Sequence, residues 1–214
     1  MKKRVIAFVL ALVVVIGFMP QLSAEAAGTR TKKAAYKAYY DWIKSSESKI
    51  SDYNTHRYNK YKLIDLDNDK IPELIGLYQD RNQTFIDNYV ICAFDGEKVN
   101  SVKVTSGVAG VGGFRGGASY VPKKGKVFET AWHSIGSYEY HTVYKIKNGQ
   151  IKKQYDINFN LDYKTNKKVY KCNDKKISKS KYDSLVKKKC TSSKAKGFGN
   201  LKYISKKKML KKLK

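Results

Sequence analysis

The chain has 214 residues, with 44 Lys plus Arg against 18 Asp plus Glu, a formal net charge of +26, and three cysteines. That length suits one domain with a proper core, with room at most for a small appendage, and excludes an array of domains. The charge favours polyanionic partners, and it is lopsided: residues 145–214 hold 24 of the basic side chains and four of the acidic ones.

The chain opens with a basic Met-Lys-Lys-Arg and an uncharged run from Val5 to Met19, and Ala24-Glu-Ala26 follows as an A-x-A cleavage site. This is the order of a secretory signal peptide, and the apolar run is shorter than the ~20 residues of a spanning helix. Residues 1–26 are therefore expected to be removed. The product is expected to be secreted and extracellular or wall-associated, with no membrane span after cleavage.

From Thr31 the pattern turns helical. Ala35, Tyr36, Tyr39, Tyr40, Trp42 and Ile43 recur at three- and four-residue spacings and put an aromatic stripe on one face. Residues 27–60 read as this helix and a polar connection, with the stripe packing across a sheet.

Tyr61 to Leu77 is an apolar run interrupted by aspartates at alternate positions. It reads as strand, acidic loop, strand. Asp65, Asp67, Asp69 and Glu73 fall at positions 1, 3, 5 and 9 of the loop, with the Ile71 carbonyl at position 7, a spacing that converges oxygens on a hard cation. Calcium is the expected cofactor. Four carboxylates between apolar strands would otherwise repel one another. Gly76 stands where an EF-hand has its bidentate glutamate, so the loop is not an EF-hand.

Hairpin punctuation follows. Phe85–Phe94 turns at Asp95-Gly96 into Lys98–Thr105, Tyr120–Pro122 turns at Lys123–Gly125 into Val127–Trp132, and Tyr138–Ile146 turns at Asn148-Gly149 into Ile151–Phe159. Tyr163–Tyr170, around Thr165-Asn166, makes a fourth. Sequential hairpins predict an antiparallel β-meander over residues 61–170. Residues 171–214 form a lysine-rich segment of the same domain, with Ser178 capping a helix over Lys179–Lys189, a returning strand at Leu201–Ile204, and a basic helix carrying Met209, Leu210 and Leu213. The predicted class is α+β: a β-meander with an N-terminal packing helix and a short helical C-terminal segment.

Three further groups are candidates. Glu129, His133, Glu139 and His141 fall within thirteen residues on adjoining strands, where convergence would make a zinc or acid/base site of a small secreted hydrolase, although the spacing matches no metalloenzyme signature. The glycine-rich stretch Gly107 to Gly117 reads as a loop, with Phe114 and Arg115 as candidate ligand contacts. It lacks the Lys-Ser/Thr ending of a phosphate loop. Cys172 and Cys190, both in the basic segment, are the pair expected to form a disulfide, leaving Cys92 as a buried free thiol. No nucleophile motif is present, so no catalytic residue is assigned.

The pattern Leu63-Ile-Asp-Leu-Asp-Asn-Asp-Lys-Ile-Pro-Glu-Leu-Ile75, the strand ending Phe94-Asp-Gly-Glu-Lys-Val99 and the closing Lys176-Ile-Ser-Lys-Ser-Lys-Tyr182 resemble a broad group of exported Firmicutes proteins that share a D-x-D-x-D-x-x-P-E-L loop. The loop is also similar to the calcium loops of integrin-type propeller repeats. The resemblance implies secretion and a calcium-stabilised β-rich domain, and implies no reaction. Asn68 and Lys70 stand where such loops often have glycine, so Lys70 must take a glycine-like turn conformation. With few arginines and no bidentate forks in the basic segment, specific nucleic-acid recognition is not expected. The partner expected instead is an anionic polymer, wall teichoic acid or acidic glycan, with a host-directed effector as the remaining alternative.

Overall fold

The computed structural model describes residues 30–45, 48, 57–79, 85–109, 113–133 and 135–214; the expected signal segment 1–26 lies outside them. Helix α1 (Lys32–Lys44) starts at Thr31, whose hydroxyl accepts the Ala34 N–H at 3.1 Å. The strands are β1 (Lys60–Ile64), β2 (Glu73–Gln79), β3 (Phe85–Phe94), β4 (Val99–Val108), β5 (Phe114–Val121), β6 (Lys126–His133), β7 (Tyr138–Lys147), β8 (Gln150–Asp162), β9 (Lys167–Cys172) and β10 (Lys175–Lys176). Helix α2 (Lys179–Lys189), β11 (Lys196–Gly197), a 3-10 turn (Phe198–Asn200), β12 (Ile204–Ser205) and α3 (Lys206–Lys212) complete the chain. Among the described residues no helix is long and apolar enough to cross a membrane.

Every consecutive pair from β1 to β10 is antiparallel, so the meander is as expected. β12 closes back onto β1, and β11 pairs with β5. The C-terminal segment is therefore built into the sheet at both of its halves. The halves meet at a weak corner, because β4 and β5 pair only through Gly107 with Gly116 and Val108 with Arg115. Here the expectation of a plain glycine-rich loop is corrected, since Gly107, Gly116 and Gly117 lie within strands. A Cβ at Gly116 would lie 2.6 Å from the Phe114 ring, and Gly107 has φ +125, so glycine is what lets the sheet fold at this point.

Strand alternation then assigns three cores. Ile75, Tyr89, Ile91 and Val104 of the first half face Ala118, Tyr120, Val127 and Ile146 of the second, with Phe198 between them. The opposite face of the first half, including Leu74, Val90 and Cys92, is covered by Ala35, Tyr39, Trp42 and Ile43 of α1 and Met209 of α3. The opposite face of the second half, including Phe128, Val143 and Ile157, is covered by Tyr182 of α2. The layers run helix, sheet, sheet, helix.

The expected Cys172–Cys190 disulfide is corrected as well: the three cysteines form no disulfide. Both thiols belong to the apolar layer under α2, where side-chain burial already holds them together. Burial pushes the Cys190 thiol up to about 12, with Cys172 adding to the shift, which keeps it protonated and unreactive. Cys92 is fully buried and is in no disulfide, as expected.

Tyr182 packs its ring on Tyr170 and Phe159, with centroids 5.0 and 5.9 Å away, but its buried hydroxyl finds no partner among the described residues. Removing only that oxygen relieves an unpaired polar group, so Tyr182→Phe is expected to leave stability unchanged or raise it by up to about 1 kcal/mol. A denaturant melt showing a loss above about 1 kcal/mol would contradict this account.

Candidate metal centre

The acidic loop joins β1 to β2 and is shaped by its own carboxylates. Asp65 accepts the Asn68 N–H at 2.7 Å through Oδ1 and the Lys70 N–H at 3.2 Å through Oδ2; Asp69 Oδ1 accepts the Ile71 N–H at 2.8 Å. Asn68 and Lys70 have φ of 69 and 72, so Lys70 does take the glycine-like conformation its position demands.

Three of the four expected carboxylates converge. Asp65, Asp67 and Glu73 each offer an oxygen within 4.8 Å of the others. Asp69 does not join them, because its Oδ2 is taken by the Arg30 guanidinium, whose Nε also donates to the Phe94 carbonyl at 2.5 Å. The Ile71 side chain leans on the core under α1, and its N–H is used within the loop.

Glu73 is the unusual member. It opens β2 fully buried; Oε2 accepts the Leu66 N–H at 2.8 Å, and Oε1 has no partner among the described residues. Burial, with Asp67 and Asp69 close by, pushes its carboxyl up to about 8 against the opposing Leu66 N–H. Burial and Asp69 raise Asp67 as well. A buried carboxylate with one unpartnered oxygen facing two more carboxylates is a donor set for a hard cation, and an orphaned oxygen costs stability without one.

The rest of the fold is tied to this loop. Asp67 Oδ2 accepts the Asn148 N–H at 2.9 Å, and the Leu66 carbonyl accepts the Gly125 N–H at 2.7 Å. Asn100 Nδ2 donates to Asp95 at 2.8 Å and to the Gly149 carbonyl at 3.1 Å. The turns of the β3–β4, β5–β6 and β7–β8 hairpins thus meet at one pole around the loop. Gly125 has φ +56, and a Cβ there would strike the Ile146 carbonyl and come within 2.9 Å of the Asp67 Cβ, so this close approach requires glycine. The hairpin glycines were visible in the sequence as turns. The contacts of Arg30 with Asp69 and of Asn148 with Asp67 carried no signal, because the partners lie 39 and 81 residues apart.

The second constellation does not converge. In the β6–β7 register Thr130 faces His141 and Trp132 faces Glu139, which puts His141 and Glu139 on one face of the sheet and Glu129 and His133 on the other. Glu129 accepts the Thr105 N–H at 2.9 Å, whereas His141 Nε2 lies 2.6 Å from Glu139 Oε1 in the layer under α2. Burial lowers the His141 pKa against the pull of Glu139. His133 packs on Tyr138 at 5.5 Å. Nor does the glycine-rich corner present free contacts: Arg115 donates to the Phe114 carbonyl at 2.8 Å and to Ala109 at 3.3 Å, and the Phe114 ring covers Gly116.

No family model, curated protein or solved structure matches the chain.

Proposed function

We propose that this chain is an exported, calcium-stabilised, non-enzymatic binding module that docks on anionic polymer, wall teichoic acid or acidic glycan, through its lysine-rich C-terminal region. The observation that carries the reading is Glu73: a buried carboxylate, pushed up to about 8, with one oxygen unpartnered and Asp65 and Asp67 beside it. Calcium would be held by these three, with Asp69 available if Arg30 releases it, and would supply a fixed positive charge that ties the hairpin turns together. Nothing in this assignment requires a reaction. The resemblance of the loop to those of exported Firmicutes proteins agrees with it.

The docking half of the reading rests on charge. The segment bearing 24 basic side chains supplies the outer strands β8 to β10 and the two outer helices α2 and α3, and most of its lysines are exposed. Such a surface should bind polyanion in a strongly salt-dependent way. Retention of the full chain on immobilised wall polymer is expected to fall by more than tenfold between about 50 and about 200 mM salt, and to be lost when lysines in residues 145–214 are changed to glutamine. Binding indifferent to ionic strength would overturn the docking assignment; an unchanged melting temperature in excess calcium and in chelator would overturn the metal.

A further inference from the structure

Resting on the docking reading above, we infer that the polymer is seated in a groove between α1 and the C-terminal turn after α3, and that its chemistry is that of a polyol phosphate chain. The groove is a hollow of about 710 Å³ lined by Tyr36 and Tyr40 with Lys32, Lys33, Lys37 and Lys214. It continues into a second hollow of about 250 Å³ that shares Tyr40 and Lys214 and adds Lys44, Lys207 and Lys211. Among the residues lining both, the one carboxylate is Asp41, already paired with Lys37 at 2.8 Å. The charge is mutually repulsive at the far end too, where burial and the nearby Arg57 and Lys44 lower the Lys206 pKa.

The N-terminus of α1 adds its own charge to this groove. Its first turn holds Lys32 and Lys33 and no acidic residue, so two positive charges sit at the end of the helix where the backbone dipole disfavours them. The buried stripe of Ala35, Tyr39, Trp42 and Ile43 faces the sheet, which turns Tyr36 and Tyr40 toward the groove one helical turn apart.

Three features choose the occupant. Every cation lining the groove is a lysine, a point charge suited to single phosphates, and no guanidinium fork is present for planar carboxylates. The tyrosine rings already carry ammonium groups over their faces, Lys32 at 5.6 Å from Tyr36 and Lys44 and Lys214 at 5.8 and 6.0 Å from Tyr40, which takes up the surfaces a nucleobase would stack on. Finally, the exposed large hydrophobic residues, Phe85, Val108, Trp132, Ile135, Tyr140 and Tyr163, belong to strand ends and turns at the pole opposite the acidic loop. None lines the groove, whose apolar side chains are Tyr36, Tyr40, Leu210 and the buried Leu213, so no exposed large hydrophobic residue stands there to anchor in a bilayer. A repeating phosphodiester without bases and without acyl chains fits what remains.

The test compares the full chain with two triple variants of equal charge loss: Lys32→Gln, Lys33→Gln, Lys214→Gln in the groove, and Lys164→Gln, Lys187→Gln, Lys188→Gln outside it. All six side chains are exposed, and circular dichroism melts check that both variants fold. Binding to poly(glycerol phosphate), to a single-stranded oligonucleotide and to anionic phosphatidylglycerol vesicles is measured by titration at about 50 and 200 mM salt. The groove variant is expected to bind poly(glycerol phosphate) at least about tenfold more weakly, with a salt slope reduced by about two, whereas the control variant changes less than about twofold. Equal losses in the two variants would overturn the groove and leave the docking reading standing. Tighter binding of the oligonucleotide or the vesicles than of poly(glycerol phosphate) would overturn the choice of occupant. Absence of binding to all three would overturn the docking reading together with the groove.

Discussion

Replacing Glu73 by glutamine is expected to preserve the metal-free fold, to flatten the dependence of its stability on pH between about 5 and about 8, and to abolish stabilisation by calcium. The amide keeps an acceptor for the Leu66 N–H, and its NH2 group can donate toward the aspartates that now face an unpartnered oxygen. In the parent chain the sign follows from burial. The folded carboxyl is pushed up to about 8, whereas an exposed glutamate titrates near about 4.3, so between these values the folded chain holds a proton that the unfolded chain has lost. The stability linked to this group is complete below the lower value and is lost as the pH rises toward about 8. At ~1.4 kcal/mol per unit the full difference is about 5 kcal/mol. Calcium bound to the carboxylate would work in the opposite direction. Its effect on melting should be small at pH 5 and large at pH 8, where a hundredfold excess over Kd contributes about 2.7 kcal/mol and raises Tm by about 5–10 °C. Thermal melts of parent and variant at both pH values, with calcium and with chelator, check the assignment. An equal calcium shift in Glu73→Gln would remove Glu73 from the site.

The parts of the fold that were legible in the sequence are those whose signal is local. Asp95-Gly96, Lys123–Gly125 and Asn148-Gly149 mark hairpins because the turn itself needs positive φ; Gly96, Lys123, Gly125, Asn148 and Gly149 all have it. The buried part of the α1 stripe, Ala35, Tyr39, Trp42 and Ile43, was legible from its period, although Tyr36 and Tyr40 turn toward the groove, and the acidic loop was legible from the alternation of its aspartates. What was missed depends on pairs distant in sequence. The Arg30 contact removes Asp69 from the expected ligand set, and a basic residue ahead of a helix gives no hint of that. β11 and β12 pair over two residues each, too few to show any alternation, so the returning strand was placed over Leu201–Ile204 when the pairing is Ile204–Ser205 with β1. Glycines at the sheet corner lower strand propensity and so read as loop. They are strand residues because only there does the backbone have to turn the sheet onto itself. The shared segment of Cys172 and Cys190 misled for a related reason: two thiols can share an apolar layer without a bond between them.

Truncating Phe198 should be the most damaging single change in the C-terminal segment. It lies in a turn of three residues that sequence periodicity does not mark, yet it is fully buried, with its ring centroid 5.6 Å from that of Tyr89 on β3 and 5.1 Å from that of Tyr120 on β5. Those strands belong to the two halves of the sheet, whose ladder is continued between β4 and β5 by only two residue pairs. Side-chain packing through Phe198 therefore has to make up for missing ladder. The segment is held on either side by β11, which pairs Lys196 and Gly197 with Tyr120 and Ser119, and by the Tyr203 hydroxyl, which donates to the Phe198 carbonyl at 3.0 Å. Phe198→Ala is expected to cost about 3–5 kcal/mol, a large share of the roughly 5–15 kcal/mol by which domains are stable. Phe198→Leu keeps most of the volume and should cost less than about 2 kcal/mol. Local opening in the alanine variant should free the backbone around Lys194 and Lys196, whose side chains are already exposed, by releasing β11 from its pairing with β5, making limited trypsin digestion begin there. A loss below about 1 kcal/mol, or first cleavage far from these lysines, would mean that the two halves are joined by the corner strands rather than by this ring.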